Sequence, residues 1–420
     1  MEFWIPYGAT EVPLAVADEN LLGFLSIKED STKRPPQNAI AAPLSDMALD
    51  SALLEAAKHA KKTAIAFNPD SAASVTITKQ LAGELSRAGA QSIVLLHGAT
   101  DPTQARPSQR IPQSILEGTA SLVKYDRKNS PVTKISEVEG GGEIQISEEF
   151  AAADLRCVVA GVGLNPFWGY SGGPSFIIVG LASESTIKTC LSPTLRGPRL
   201  PGVLSGNQTY EAILRASRMV TIDSAIHVVE KHDGEIAGTF TGDFYKTFQD
   251  ACALAAKIFR PALRRKADIV VASAGGIPWD RTLLDASSTA LMAGTACKDH
   301  GMLILVAECS QGLGVLPSVR FETHESKKHT AGRKAFTLER MVQSSFQKAC
   351  TERRAYLVST LPEHHATTYG LLSAKSAGSA LQRALRHVEK DASVAIIPYG
   401  SLTAPLVEPK TEPARLSAVY

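Results

Sequence analysis

The sequence predicts an α/β protein made of two α/β domains with mostly parallel sheets and an interdomain cleft. Three observations predict it. Short apolar runs alternate with helical-length amphipathic stretches, as in TAIAFNP (63–69), the stretch Thr76–Ala88 and QSIVLLHG (91–98). The alternation restarts with ADIVVASAGG (267–276), a helical stretch and MLILVAEC (302–309). Between them lies CVVAGVGL (157–164), apolar at every position, as a strand buried on both faces requires. These patterns divide the chain into an N-terminal domain, 1–264, and a C-terminal domain, 265–420.

Each element follows in order. Residues 2–16 alternate polar and apolar as an edge strand or hairpin does, and Lys33–Gln37, with Pro35-Pro36, is a connector. Ala48–Lys61 has helical spacing, and the strand 63–69, helix 76–88 and strand 91–98 then make a right-handed β-α-β unit. The polar stretch Ala99–Arg110 follows a strand end, where ligands bind in open α/β sheets. Residues 120–156 read as a meander turning at Gly140-Gly141-Gly142, and Arg196–Asn207 as a Pro- and Gly-rich loop. Tyr210–Met219 is helical, and residues 219–243 are two strands joined at His232-Asp233-Gly234. Phe244–Lys266 reads as one helix whose last turn carries Arg264, Arg265 and Lys266, which suits the macrodipole. In the second half, Leu283–Lys298 is a helix, with Asp280 as its N-cap. AYLVST (355–360), a helix around Ser376–Glu389 and SVAIIPYG (393–400) complete the alternation.

Composition narrows the function classes. Lys+Arg 44 against Asp+Glu 42 leaves a net charge of +2, which offers nucleic acid or an acidic membrane no electrostatic footing. No apolar run reaches the roughly 20 residues of a membrane helix, and the N-terminus has no signal-peptide pattern. The six cysteines form no CxxC pair, and the histidines show no metal-ligand spacing. A cytoplasmic protein with buried, reduced thiols and a small-molecule ligand is the expectation.

The turn after the central strand draws three readings. Gly172-Gly173 leaves backbone N–H groups open to an anionic or planar ligand, with Trp168 and Tyr170 as flanking stacking surface. Gly161-Val162-Gly163 begins a dinucleotide fingerprint, but Pro166 stands where its third glycine belongs and no helix opens there. Gly169-Tyr170-Ser171-Gly172-Gly173 fits the G-x-S-x-G of a nucleophile elbow, making Ser171 a hydrolase candidate with Asp280 and His364 downstream. Asn165-Pro166-Phe167-Trp168 intervenes between the strand and this motif and an apolar run follows, which is not the strand–Ser–helix order that elbow needs.

The third reading comes from YSGGP (170–174), PGVLSGN (201–207), FTGD (240–243), DIVVASAGGIPWD (268–280), AECSQGLG (307–314), LVSTLP (357–362) and IIPYG (396–400). This collinear set resembles the nickel-dependent lactate racemase family. The resemblance implies a racemase or epimerase of a 2-hydroxy acid or related substrate. In that family hydride moves from the substrate's C2 to a nickel-pincer nucleotide and returns on the other face, while two histidines exchange protons. A lysine tethers the nucleotide and a further histidine ligates the nickel. Here the tether position falls at Ser175, and the two acid–base histidines fall around Thr100–Pro102 and near Asn165. The metal histidine falls near Leu191, beside Lys188. The family's D-x-T-R-P cofactor turn becomes NPDSAA (68–73), and the glutamine and lysine that hold a substrate carboxylate become Asp285 and Ser288.

From this the candidate site residues are Asp101 and His97 for acid–base catalysis. Asp70, Ser171, Gly172, Gly173 and Ser175 are the candidates for cofactor binding. Asn165, Trp168, Tyr170, Asp285 and Ser288 are those for substrate binding, and no metal ligand is assigned. Asp285 would repel a substrate carboxylate. The expectation is a diverged isomerase. The alternative is a non-catalytic descendant that binds a small ligand or a partner in the same cleft.

Overall fold

A computed structural model of the chain describes residues 1–27, 51–103, 120–138, 142–192, 197–198, 200–314, 336–388 and 391–408. The connector at Lys33–Gln37, residues 104–110 of the polar loop and the tip of the Gly140–Gly142 turn lie outside them.

Two six-stranded sheets carry the fold. The first has the order Ile236–Gly242, Ser224–Glu230, Leu155–Gly161, Thr63–Phe67, Ile93–His97, Ala120–Lys124. It is parallel except for its first member, which returns as an antiparallel hairpin. The strands Thr63–Phe67 and Ile93–His97 are buried at all five positions. The reason is that helices cover the sheet: Leu81 and Leu85 of Ala72–Arg87 pack on Ile65 and Leu95, while Phe176, Ile178 and Phe248 pack near Ala66 and Leu96 on the other face.

The second sheet is wholly parallel, in the order Leu372–Ala374, Tyr356–Val358, Cys297–Val306, Ala267–Ser273, Val394–Ile397, Leu21–Phe24. Its last strand comes from the beginning of the chain. The hairpin Glu2–Tyr7/Thr10–Ala15 lies beside it, with Ile5 and Leu14 packed among Ile269, Ile304 and Ile396. Asp280 fastens the hairpin turn, its Oδ2 accepting from Gly8 N at 2.6 Å and from Glu308 N at 3.1 Å. A division of the chain at 264/265 therefore assigns residues 1–25 to the half whose sheet they do not join. A four-residue strand carries no pattern that tells one sheet from another.

Two further expectations change. The helix Phe244–Phe259 stops before Pro261, whose ring cannot continue it. Arg264, Arg265 and Lys266 thus lie beyond its end, after a short strand Ala262–Leu263. Asp280 is not the cap of Leu283–Met292: Thr282 is, in a capping box with Asp285. The apolar run after the S-G-G turn is helical, a short turn Gly173–Ser175 passing into a π-helical stretch Phe176–Gly180. The two halves share apolar packing, since Leu291, Met292 and Met341 join the core of the first sheet.

Candidate functional site

The strands' carboxyl ends meet between the halves. Asn68 and Asp70 follow Phe67, Asp101 and Thr103 follow His97, and Gly161–Leu164 end the central strand. From the other side come Trp279, after Ser273, and Ser401, after Ile397. Open α/β sheets gather ligands at such ends.

A chain of hydrogen bonds ties the first group together. Asn68 Oδ1 accepts from Asp70 N at 2.7 Å, and Asp70 Oδ2 accepts from Asp101 N at 3.2 Å. Asp101 Oδ1 accepts from Thr103 N at 2.9 Å and from Thr103 Oγ1 at 2.6 Å. Thr103 Oγ1 in turn accepts from Asn165 Nδ2 at 2.6 Å, and Asn165 Oδ1 accepts from Phe167 N at 2.9 Å. Three strand ends are thereby locked in one register. Ser71 caps the helix Ala72–Arg87 and donates to Glu230 Oε2 at 2.8 Å. A Cβ on Gly161 would come within 2.8 Å of Ser71, so only glycine lets the helix N-terminus sit there.

Two small cavities remain among these groups. The larger, about 30 Å³, is walled by Asp70, Ser71, Thr103, Ser171, Trp279 and Ser288 among others. That is about one water's share of liquid volume. The smaller, about 10 Å³, is walled by Asp101, Gly172, Ser175 and Phe176 among others. Asp101 and Ser175 thus share a cavity, and Asp70, Ser171 and Ser288 share its neighbour.

The other candidates lie elsewhere. His97 is buried and lines neither cavity: its ring meets Phe67 edge-on at 5.7 Å, and burial lowers its pKa. Trp168 is fully buried, and Tyr170, with burial pushing its hydroxyl up to about 12, belongs to the apolar core. Neither ring offers the stacking surface expected of it. Asn165 works inside the hydrogen-bond chain. Asp285 caps its own helix and burial raises its pKa, so its carboxylate is spent on Thr282 N at 3.2 Å.

The double glycine is also used internally. A Cβ on Gly173 would overlap the Phe248 ring, and one on Gly172 would lie 2.7 Å from Gly161 O. The space that a ligand was expected to enter is filled by the protein. Ser171 Oγ accepts from Gly163 N at 3.0 Å and donates to Gly163 O at 3.3 Å. Ser175 Oγ donates to Gly172 O at 2.8 Å. Both hydroxyls hold the turn together, and no histidine lines the cavity beside Ser171 among the described residues.

Asn68, Ser71, Thr103, Trp279 and Ser401 line the larger cavity but are not among the individual candidates above. Ser71 and Trp279 sit inside quoted motifs, and a polar residue directly after a buried strand was the usable signal for Asn68, Thr103 and Ser401. Among the described residues, no group of three or more His, Cys, Asp or Glu side chains is arranged to hold a metal ion.

Comparison with known proteins bears on what this cleft is. The lactate racemase N-terminal domain model matches residues 7–196, and the C-terminal domain model matches residues 263–403. A lactate racemase of Thermoanaerobacterium thermosaccharolyticum is 26% identical over 330 residues, covering 74% of this chain and 75% of that protein. One of Lactiplantibacillus plantarum is 25% identical over 323 residues, covering 74% and 75%. In fold, the chain is similar to the lactate racemase apoprotein from T. thermosaccharolyticum, with a TM-score of 0.79 at 23% identity over 97% of this chain and 100% of that one. It is also similar to a Thermotoga maritima protein, with a TM-score of 0.61 at 15% identity over 85% and 96%.

Proposed function

This chain belongs to the lactate racemase family, and from that premise we propose that it is a diverged member whose cleft binds a small hydroxyl-bearing molecule without a carboxylate. The observation that carries this reading is the chemistry of the two cavity walls. They carry the carboxylates of Asp70 and Asp101 and the side chains of Ser71, Ser171, Ser175 and Ser288, of which the first three already hold internal hydrogen bonds. Among the described lining residues there is no Lys, Arg or His. Two like charges 4 Å apart repel by roughly 4 kcal/mol at an effective dielectric of about 20. A carboxylate entering here would meet that repulsion with no counter-charge among the described lining residues, whereas a neutral diol would not.

The family's nickel-pincer nucleotide does not fit the residues present. A serine already bonded to Gly172 O occupies the tether position, and the metal-histidine position falls near Leu191, in the apolar core. The Phe176 ring lies where a Cβ on Gly98 would be 2.6 Å away, so the space beside the strand end is taken. No step is therefore derived through that group.

Isomerase chemistry with Asp101 as the proton acceptor is a second reading, supported by the cavity it shares with Ser175. Against it, Asp101 Oδ1 already accepts two hydrogen bonds from Thr103.

Calorimetry with propane-1,2-diol and lactate, which differ by a carboxylate for a carbinol, tests the first reading. The diol is expected to bind at least about tenfold tighter, the equivalent of 1.4 kcal/mol. Tighter binding of lactate overturns it. Intact-mass analysis of protein produced together with pincer-synthesis enzymes is expected to give the unmodified chain, and a covalent adduct overturns the statement on the cofactor.

A further inference from the structure

On the outer side of Trp279, which walls the inner cavity as well, a second space of about 540 Å³ opens. It is a shallow depression open to solvent, not an enclosed cavity. Four of the residues around it carry rings: Trp4, His232, Trp279 and Tyr399. Their convergence is built by one glycine. Gly275 has φ +113°, and a Cβ there would lie 3.2 Å from Tyr399 Cδ1 and 3.3 Å from Trp279 Cε3. Without a side chain, the gap between the two rings stays open. The hairpin of the first sheet closes one flank, where the His232 ring packs on Tyr399 at a centroid distance of 4.3 Å.

The rim and the charges point the same way. Trp4 is 57% exposed and Ile277 50%, two large apolar side chains facing solvent at one opening. Glu11, itself exposed, is the one carboxylate among the described lining residues, and none of those residues is Lys or Arg. Trp279 is 6% exposed, and its buried Nε1–H has no acceptor among the described residues.

We propose that this vestibule binds an organic ammonium ion, a quaternary ammonium by class. The aromatic faces attract the cation through their quadrupoles. Glu11 supplies the opposite charge. This goes beyond the reading of the inner cavity and shares only Trp279 with it.

The test uses the full chain, choline, and 3,3-dimethylbutan-1-ol, which has choline's shape without its charge. Binding is read by calorimetry and by the fluorescence of Trp4 and Trp279. Choline is expected to bind saturably, and the neutral isostere at least about tenfold more weakly. Trp4→Ala is expected to weaken choline binding about fivefold and Glu11→Gln about twofold. Both positions are exposed, so an unchanged melting temperature shows that the fold is intact. Equal binding of the isostere, absence of saturation, or indifference to both substitutions overturns the proposal. Failure of choline binding alongside a retained diol-over-lactate preference removes this inference alone. Loss of that preference while choline still binds removes the reading of the inner cavity instead.

Discussion

Each half of the molecule has a Gly-Gly turn just beyond a central strand, and the two turns are used in opposite ways. At Gly172-Gly173 the room left by the missing side chains is filled from within, by Gly161 O and the Phe248 ring. At Gly275-Gly276 the second glycine is held against Gly8 O, but the first leaves a gap between Tyr399 and Trp279 that opens to solvent. The same dipeptide thus serves packing in one half and access in the other. Which role it takes depends on what the rest of the chain brings to it, and that is a tertiary property.

Substitutions sharpen this contrast. Gly173→Ala should be the most damaging, because it combines a left-handed residue at φ +47° with overlap of a buried ring. A loss of roughly 3–4 kcal/mol is expected in urea unfolding. A stability within about 0.5 kcal/mol of the parent would mean that the first turn is not packed as described.

Acid should loosen the same region next. His227 is fully buried 5.7 Å from Phe248, and burial alone lowers its pKa from 6.5 to about 3. The unfolded chain binds a proton below about 6.5 while the folded one resists until about 3. This contribution is therefore fully present above pH 6.5 and is lost as pH falls toward 3, at up to about 1.4 kcal/mol per unit. The expected fall between pH 7 and pH 4 is roughly 3 kcal/mol, read from urea midpoints. His227→Gln, which keeps a partner for Thr247 Oγ1, should flatten that slope; an unchanged slope would remove His227 as its source.

Gly275→Ala comes third. Its Cβ meets ring atoms at 3.2–3.3 Å, tight but without overlap, and its φ of +113° disfavours any side chain. A stability loss of about 1–2 kcal/mol is expected, with choline affinity falling more than stability does. If Gly275→Ala proves as damaging as Gly173→Ala, the contrast between the two turns is wrong. Thr282→Ala, which removes the cap of the helix beside the second turn, should cost about 1 kcal/mol and leave the first turn's acid response untouched.

Much of the frame was legible because strands such as Thr63–Phe67 and Ala267–Ser273 are buried on both faces and read as unbroken apolar runs. What failed depended on distant partners. Nothing local tells that Leu21–Phe24 joins the second sheet or that Asp280 binds Gly8 N. Pro261 did mark the helix end and was the available signal against Arg264–Lys266 as its last turn. Of the candidates, Asp70, Asp101, Ser171, Ser175 and Ser288 line the two cavities, and they follow buried strands or align with a motif. Trp168, Tyr170 and His97 were not distinguishable, since an aromatic ring beside a turn packs inward or outward according to neighbours such as Phe67 that the sequence does not align with it.

The strand Leu21–Phe24 has one more implication. During synthesis it leaves the ribosome long before Val394–Ile397, the strand it pairs with among the described residues. Until then its backbone has no ladder to join, and a nascent chain carries an exposed, pairing-competent edge through most of translation. Stalled or truncated products would retain that edge permanently, so self-association of incomplete chains is the hazard this topology creates.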